Sequence, residues 1–83
     1  MLPKIKAVEP LAGYLLHVIF DDNRDVLYDV KEDIDTLPGY ADLAKIHGLF
    51  DCVQLDSSRT CVFWNDNIDL PSDVIYEYGR EKP

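Results

Sequence analysis

The chain has 83 residues, with 16 acidic and eight basic side chains and a formal net charge of -8. A chain of this length builds one hydrophobic core, so residues 1–83 are predicted to form a single domain. Its hydrophobic fraction of 47% is typical of a folding chain and argues against a disordered one. The lysines and arginines are scattered, whereas nucleic-acid binding needs a concentrated basic surface. No nucleic-acid partner is therefore expected.

The apolar segments and the cysteines predict a location inside the cell. No apolar segment follows the positive charges near the N-terminus, as an export signal would require. The longest apolar stretch, residues 15–20, is interrupted by His17 and is too short to cross a membrane. Cys52 and Cys61 are then expected to be free thiols, because the cytoplasm keeps thiols reduced. We predict a cytoplasmic protein with no membrane contact.

The N-terminal half predicts three strands in a meander. Residues 4–8 and 14–20 read as two strands around a turn, and residues 25–30 alternate as a third strand after a polar loop. The second strand is apolar on both faces, which predicts that it is central or covered on its second face. A symmetric hairpin closed by residues 21–24 places His17 opposite Tyr28.

The C-terminal half predicts a helix, a hairpin and a second helix. Apolar residues recur at helical spacing from about 40 to 47, which predicts a short helix. A protonated His47 would interact favourably with the dipole of this helix, and Gly48 can adopt the left-handed conformation that ends a helix. Side chains alternate along two segments on either side of a turn at residues 56–59, which predicts a hairpin, and residues 68–70 add a short edge segment. A final helix runs from Pro71 to Tyr78, and residues 79–83 are expected to be a frayed tail.

These elements predict the fold class. Strands outnumber helices and do not alternate with them regularly, so a doubly wound parallel sheet is not expected. The predicted fold is α+β, an antiparallel β-meander plus a β-hairpin, with one short central helix and a short C-terminal helix. Strand order stays open, because a meander and a separate hairpin combine into one bent sheet or two packed sheets.

Several landmarks at fixed spacing resemble a family of small bacterial proteins. The first group comprises Pro3, Val8, Leu16-x-Val18-x-Phe20 followed by Asp21, Asp29, Leu43 and Phe50. The second group is Trp64-x-x-x-x-Asp69-Leu70-x-x-Asp73-x-x-Tyr76, continuing to Glu77-Tyr78-Gly79. These residues are similar to those of the family called Domain of Unknown Function 2442, and the resemblance extends over nearly the whole chain.

The resemblance implies a fold and supplies no assigned catalytic residue. Some members of that family carry a helix-turn-helix DNA-binding domain after this region. Others stand alone beside a second small reading frame, as toxin–antitoxin pairs do. This chain stops at Pro83 and resembles the stand-alone kind, which implies an antitoxin-like partner of a neighbouring gene product.

His17 is the candidate for catalytic chemistry. A histidine oriented by a carboxylate acts as a general base, and Asp29 lies on the neighbouring predicted strand. The symmetric hairpin, however, leaves Asp29 on the other face. No nucleophile elbow, phosphate loop or paired-cysteine motif supports an enzyme, so His17 is first interpreted as an ordinary strand histidine. A small hydrolase or ligand-binding domain that uses His17 with nearby carboxylates is the alternative function.

No metal or cofactor is expected. A two-residue turn at Ser57-Ser58 leaves Cys52 and Cys61 diagonal across the hairpin, about 7 to 8 Å apart, which is beyond the usual reach of a disulfide. A zinc site needs further ligands at short spacing, and neither histidine is near these cysteines in sequence. The acidic loops at 21–23 and 65–69 lack the calcium-loop pattern and are explained by turn chemistry.

Apolar side chains outside the expected core predict a protein interface. Trp64 is expected to be buried and to contact Tyr76, whereas Phe63 lies on the opposite face of the hairpin. The interface candidates are His17, Ile19 and Phe63. We hypothesise a protein-interaction module whose acidic surface steers a basic partner. A homodimer that covers the second face of strand 14–20 is an alternative, and a regulator that has lost its DNA-binding half is a third.

Overall fold

The computed structural model describes residues 2–81, and its elements are all short. The strands are β1 (Ile5–Leu11), β2 (Leu15–Phe20), β3 (Asp25–Asp29), β4 (Gln54–Leu55), β5 (Cys61–Asn65), β6 (Ile68–Pro71) and β7 (Arg80–Glu81). The helices are α1 (Val30–Thr36), α2 (Asp42–Lys45) and α3 (Ser72–Tyr78), with single 3-10 turns at Pro38–Tyr40 and Phe50–Cys52. No helix within residues 2–81 is long and apolar enough to cross a membrane.

The strands form two antiparallel sheets, which confirms the predicted α+β fold class. The meander β1-β2-β3 is extended by β7 into a four-stranded sheet, and the hairpin β4-β5 is joined by β6 in a three-stranded sheet. Of the two arrangements that the sequence left open, the structure has two sheets. The central position predicted for β2 is confirmed, because β2 pairs with both β1 and β3.

The helices differ from the prediction in the middle of the chain. Val30 was expected to end a strand but begins α1, which Asp29 caps by accepting a hydrogen bond from the Lys31 amide at 2.9 Å. Acidic residues in the first turn of α1 further favour a helix there. The helix predicted over 40–47 is reduced to the four residues of α2, because the backbone at Ile46 is already extended. His47 therefore lies beyond the helix and is exposed.

The hairpin between β4 and β5 has a longer loop than predicted. Gln54 pairs with Phe63, so a four-residue loop replaces the expected two-residue turn, with Arg59 in a left-handed conformation at φ 60°. A shift of two residues preserves the predicted faces of the strands. Cys52, however, lies in a 3-10 turn and not on a strand. Cys52 and Cys61 are both free thiols.

One hydrophobic core lies between the sheets and α3. Its fully or nearly buried side chains are Ile5, Leu16, Val18, Phe20, Val26, Tyr28, Val30, Leu43, Phe50, Val62, Trp64, Ile68, Leu70 and Ile75. The predicted burial of Trp64 is confirmed, but its predicted contact with Tyr76 is wrong. Tyr76 packs edge-to-face on Phe20 with ring centroids 4.9 Å apart, and the aromatic neighbours of Trp64 are Tyr40 and Phe50.

The segment after α3 is a strand rather than the predicted frayed tail. Arg80 pairs with Leu27 and Glu81 with Val26, which places β7 at the edge of the four-stranded sheet. The last two residues of the predicted tail, 82 and 83, lie outside the described residues. Gly79 permits this turn from helix to strand, because a Cβ there would lie 2.6 Å from the Ile75 carbonyl oxygen and 3.1 Å from Val26 Cγ2.

We expect Gly79→Ala to lower the free energy of unfolding by about 1 to 3 kcal/mol, since neither the helix backbone nor the buried Val26 can move away cheaply. Gly39→Ala is the matched control, because a Cβ at Gly39 meets no atom within 4 Å. Urea unfolding followed by circular dichroism measures both variants. Equal stability of the two would contradict the close contact at Gly79.

Candidate functional site

The four-stranded sheet has a second, solvent-facing side that stays apolar. Five apolar side chains of β1, β2 and β3 share this side with His17, and we call these six residues the outer face: Ala7, Leu11, Leu15, His17, Ile19 and Leu27. None of the six belongs to the core cluster or to the partly buried side chains that pack against it. Each keeps some solvent exposure, although β2 lies at the centre of the sheet. The outer face is thus apolar surface that the core does not use.

Charged side chains border the outer face. Glu9 lies opposite His17, Asp25 opposite Ile19, and Asp29 opposite Leu15 in the strand register. Arg80 lies opposite Leu27 on β7. Three carboxylates and one guanidinium thus leave the border net negative, in keeping with the acidic chain. Such a border favours contact with positively charged groups.

His17 lies between two of these carboxylates. Its Nε2 is 2.6 Å from Asp25 Oδ1, and its Nδ1 is 3.7 Å from Glu9 Oε1. The His17 side chain is only 16% exposed, whereas those of Glu9 and Asp25 are 66% and 40% exposed. The imidazole is therefore held within the sheet surface, and the carboxylates remain accessible to solvent or a partner.

The loop between β2 and β3 sets this arrangement. It has three residues, because the Phe20 amide donates to the Arg24 carbonyl oxygen at 2.9 Å and Asn23 takes a left-handed conformation at φ 71°. The predicted four-residue loop is wrong by one residue, so His17 lies opposite Leu27 instead of Tyr28. A slip of one residue moves a strand's side chains to the other face. The correct register brings Asp25 to His17.

The structure brings together two of the three predicted interface candidates. His17 and Ile19 both lie on the outer face. Phe63 lies on the other sheet, half-buried between Gln54 and Asp69. The predicted candidates therefore divide between two surfaces, and Phe63 does not extend the outer face.

The sequence reasoning missed the carboxylates that contact His17. Asp29 was the carboxylate considered for His17, although the predicted register placed it on the other face, and in the structure its side chain caps α1. Glu9 and Asp25 take that place instead. The sequence contained one usable signal for Asp25, since asparagine at the third position of a three-residue hairpin loop favours the left-handed conformation that fixes this register.

The geometry around His17 supplies few groups for catalysis. A shallow depression beside the imidazole is lined by Ala7, Val8, Glu9, His17 and Ile19, which include no hydroxyl or thiol nucleophile. Both ring nitrogens face carboxylates. Within residues 2–81, no group of three or more histidine, cysteine, aspartate or glutamate side chains could hold a metal ion.

A polar cluster fixes the loop that precedes Asp25. The Tyr76 hydroxyl donates to Asp22 Oδ2 at 2.6 Å, and the Arg24 guanidinium lies over the Tyr76 ring at 4.5 Å. Asp22 also accepts a hydrogen bond from the Arg24 amide at 2.9 Å. These donors, Tyr76 first, lower the pKa of the Asp22 carboxyl below its usual value of 3.8. Bonding to Asp22 in turn raises the pKa of Tyr76.

We expect Asp22→Asn to destabilise the protein at neutral pH and to have less effect in acid. The folded-state pKa of Asp22 is lowered, so the ionised carboxylate stabilises the fold above pH 3.8 and this contribution is lost as pH falls through the lower folded value. Thermal unfolding of the wild type and the variant should therefore differ most near neutrality. Asp66→Asn, in an exposed loop, is the control. A difference that is constant down to strongly acidic pH would contradict the role of Asp22.

The acidic loops use their side chains for turns, as the sequence predicted. Asn65 Oδ1 accepts hydrogen bonds from the Asn67 and Ile68 amides, and Asp21 forms a bidentate ion pair with Arg59 at 2.8 and 2.9 Å. These bonds hold the hairpin loops in place. Turn chemistry thus accounts for Asn65 and for Asp22, and the ion pair accounts for Asp21.

Comparisons with known proteins identify no relative. No protein-family model matches the sequence, and searches of curated proteins and of solved structures give no match. The class that the fold and the surface define is a small antiparallel α+β domain with an apolar, carboxylate-bordered sheet face.

Proposed function

We propose that this chain is a cytoplasmic protein-interaction module whose outer face binds a basic partner protein. The observation that carries the proposal is the apolar outer face, which lies outside the core cluster and is bordered by carboxylates. The two free thiols are in keeping with a reducing compartment. The resemblance to the family called Domain of Unknown Function 2442 would make this partner a neighbouring gene product, as in an antitoxin-like pair.

Charge favours a basic partner over the alternatives. A second copy of the chain would bring a second set of carboxylates against the first, and each chain already carries a net charge of -8. Nucleic acid would meet the same repulsion. A partner with an apolar strip flanked by lysine or arginine buries the outer face and neutralises Glu9, Asp25 and Asp29.

Two measurements test this function. Light scattering on a sizing column gives the mass of the protein alone and with the product of the adjacent reading frame. Fluorescence anisotropy then measures binding to an amphipathic helical peptide with leucines on one face and lysines flanking them. A scrambled peptide of the same composition separates docking from simple charge attraction. Equal affinity for both peptides, with no complex on the column, would overturn the proposal.

A small hydrolase is the second candidate, and one contact favours it. The 2.6 Å contact between His17 Nε2 and Asp25 could orient an imidazole for general-base chemistry. Hydrolysis of an activated ester by the wild type and His17→Gln tests this function. The interaction module predicts no turnover above buffer in either protein, whereas turnover that His17→Gln abolishes would favour the hydrolase.

A further inference from the structure

We propose that binding at the outer face is proton-linked through His17, so that a basic partner binds more tightly when the imidazole is neutral than when it is protonated. This inference rests on the proposed function and adds its regulation. Imidazole is the side chain that changes charge between about pH 5 and 8, and His17 lies at the centre of the surface in question.

The groups that face His17 come from both neighbouring strands. Glu9 of β1 lies beside Nδ1 and Asp25 of β3 beside Nε2, while the residue directly opposite on β3 is the apolar Leu27. Further along the sheet, Asp29 lies opposite Leu15 and Arg80 opposite Leu27. The charges nearest to the imidazole are therefore two carboxylates.

Protonation of His17 changes the net charge that these carboxylates and the imidazole together present to a partner. Beside a neutral imidazole, Glu9 and Asp25 present two uncompensated negative charges, and both are partly exposed. Beside an imidazolium, they form internal ion pairs, and the surface gains a positive charge that repels lysine or arginine. Because the proton and the partner oppose each other, the coupling is reciprocal, and partner binding must also disfavour protonation of His17.

The test measures the affinity of the amphipathic leucine–lysine peptide, with blocked ends, from about pH 8 to about pH 5.5. The peptide keeps its charge over this range, so a change in affinity reports on the protein. We expect about fivefold weaker binding at the acidic end, the effect of one added charge near the contact surface. His17→Gln should remove this dependence. His47→Gln is the matched control and should retain it, because exposed His47 lies outside the outer face.

Nuclear magnetic resonance supplies a second readout that needs no variant. The ring signals of His17 should change at a lower pH when the peptide is bound, whereas those of His47 should not move. Affinity that is independent of pH, or equally dependent in His17→Gln, overturns the proton linkage while leaving the interaction module intact. No preference for the amphipathic peptide over its scrambled control at any pH overturns both.

Discussion

Replacing Trp64 with alanine is expected to remove a large part of the free energy of unfolding. Trp64 is 4% exposed, and its ring stacks on Phe50 with centroids 5.9 Å apart. Truncating a buried tryptophan to alanine costs about 3 to 5 kcal/mol, against a total stability of about 5 to 15 kcal/mol. The stability of a small domain lies towards the lower end of this range, because a small domain buries a smaller fraction of its surface on folding. Urea unfolding followed by far-ultraviolet circular dichroism measures the loss.

One further variant separates packing from hydrogen bonding at Trp64, and a second at a neighbouring residue serves as its control. Trp64→Phe keeps an aromatic ring but removes the Nε1 donor to the Phe50 carbonyl oxygen, a buried bond of 3.0 Å, and should cost about 1 to 3 kcal/mol. Phe63→Ala is the matched control on the same strand, where a half-buried ring lies outside the core cluster. A larger loss for Phe63→Ala than for Trp64→Ala would contradict the assignment of the core.

Local patterns in the sequence predicted most of the strands. Alternating apolar residues identified the meander and the hairpin, and the two apolar faces of β2 indicated its central position. The start of α3 after Pro71 was also predicted, because proline followed by serine and aspartate is a typical helix beginning. These features depend on residues that are close together in the sequence, so local sequence patterns are enough to predict them.

The register of the β2–β3 hairpin depends on one loop residue. Asn23 tolerates the left-handed conformation, which shortens the loop to three residues and shifts the partner of His17 to Leu27. The fold class is unaffected by this shift. The candidate site is strongly affected, because the shift decides which carboxylates lie beside the imidazole.

Contacts between distant segments could not be predicted from the sequence. Tyr76 packs on Phe20 and hydrogen-bonds to Asp22, both far away along the chain. The strand at Arg80–Glu81 exists because β3 offers a free edge and Gly79 permits the turn into it. Neither segment carries a local pattern strong enough to indicate its partner.

Replacing Ile19 with lysine is expected to weaken binding of the amphipathic leucine–lysine peptide by about tenfold or more. Ile19 supplies apolar contact area on the outer face, and a lysine there adds a positive charge that repels a basic partner. Stability should change by no more than about 1 kcal/mol, because the new ammonium lies opposite Asp25, and cross-strand pairs of opposite charge are favourable. Anisotropy and urea unfolding measure the two quantities.

Ile46→Lys is the matched control, because it makes the same change in charge at a residue that is 50% exposed and lies directly after α2. If the outer face is the contact surface, Ile46→Lys retains most of the peptide affinity. An equal loss in both variants would mean that binding follows net charge alone. A dimer of the wild type that Ile19→Lys dissociates would instead assign the outer face to a second copy of the chain.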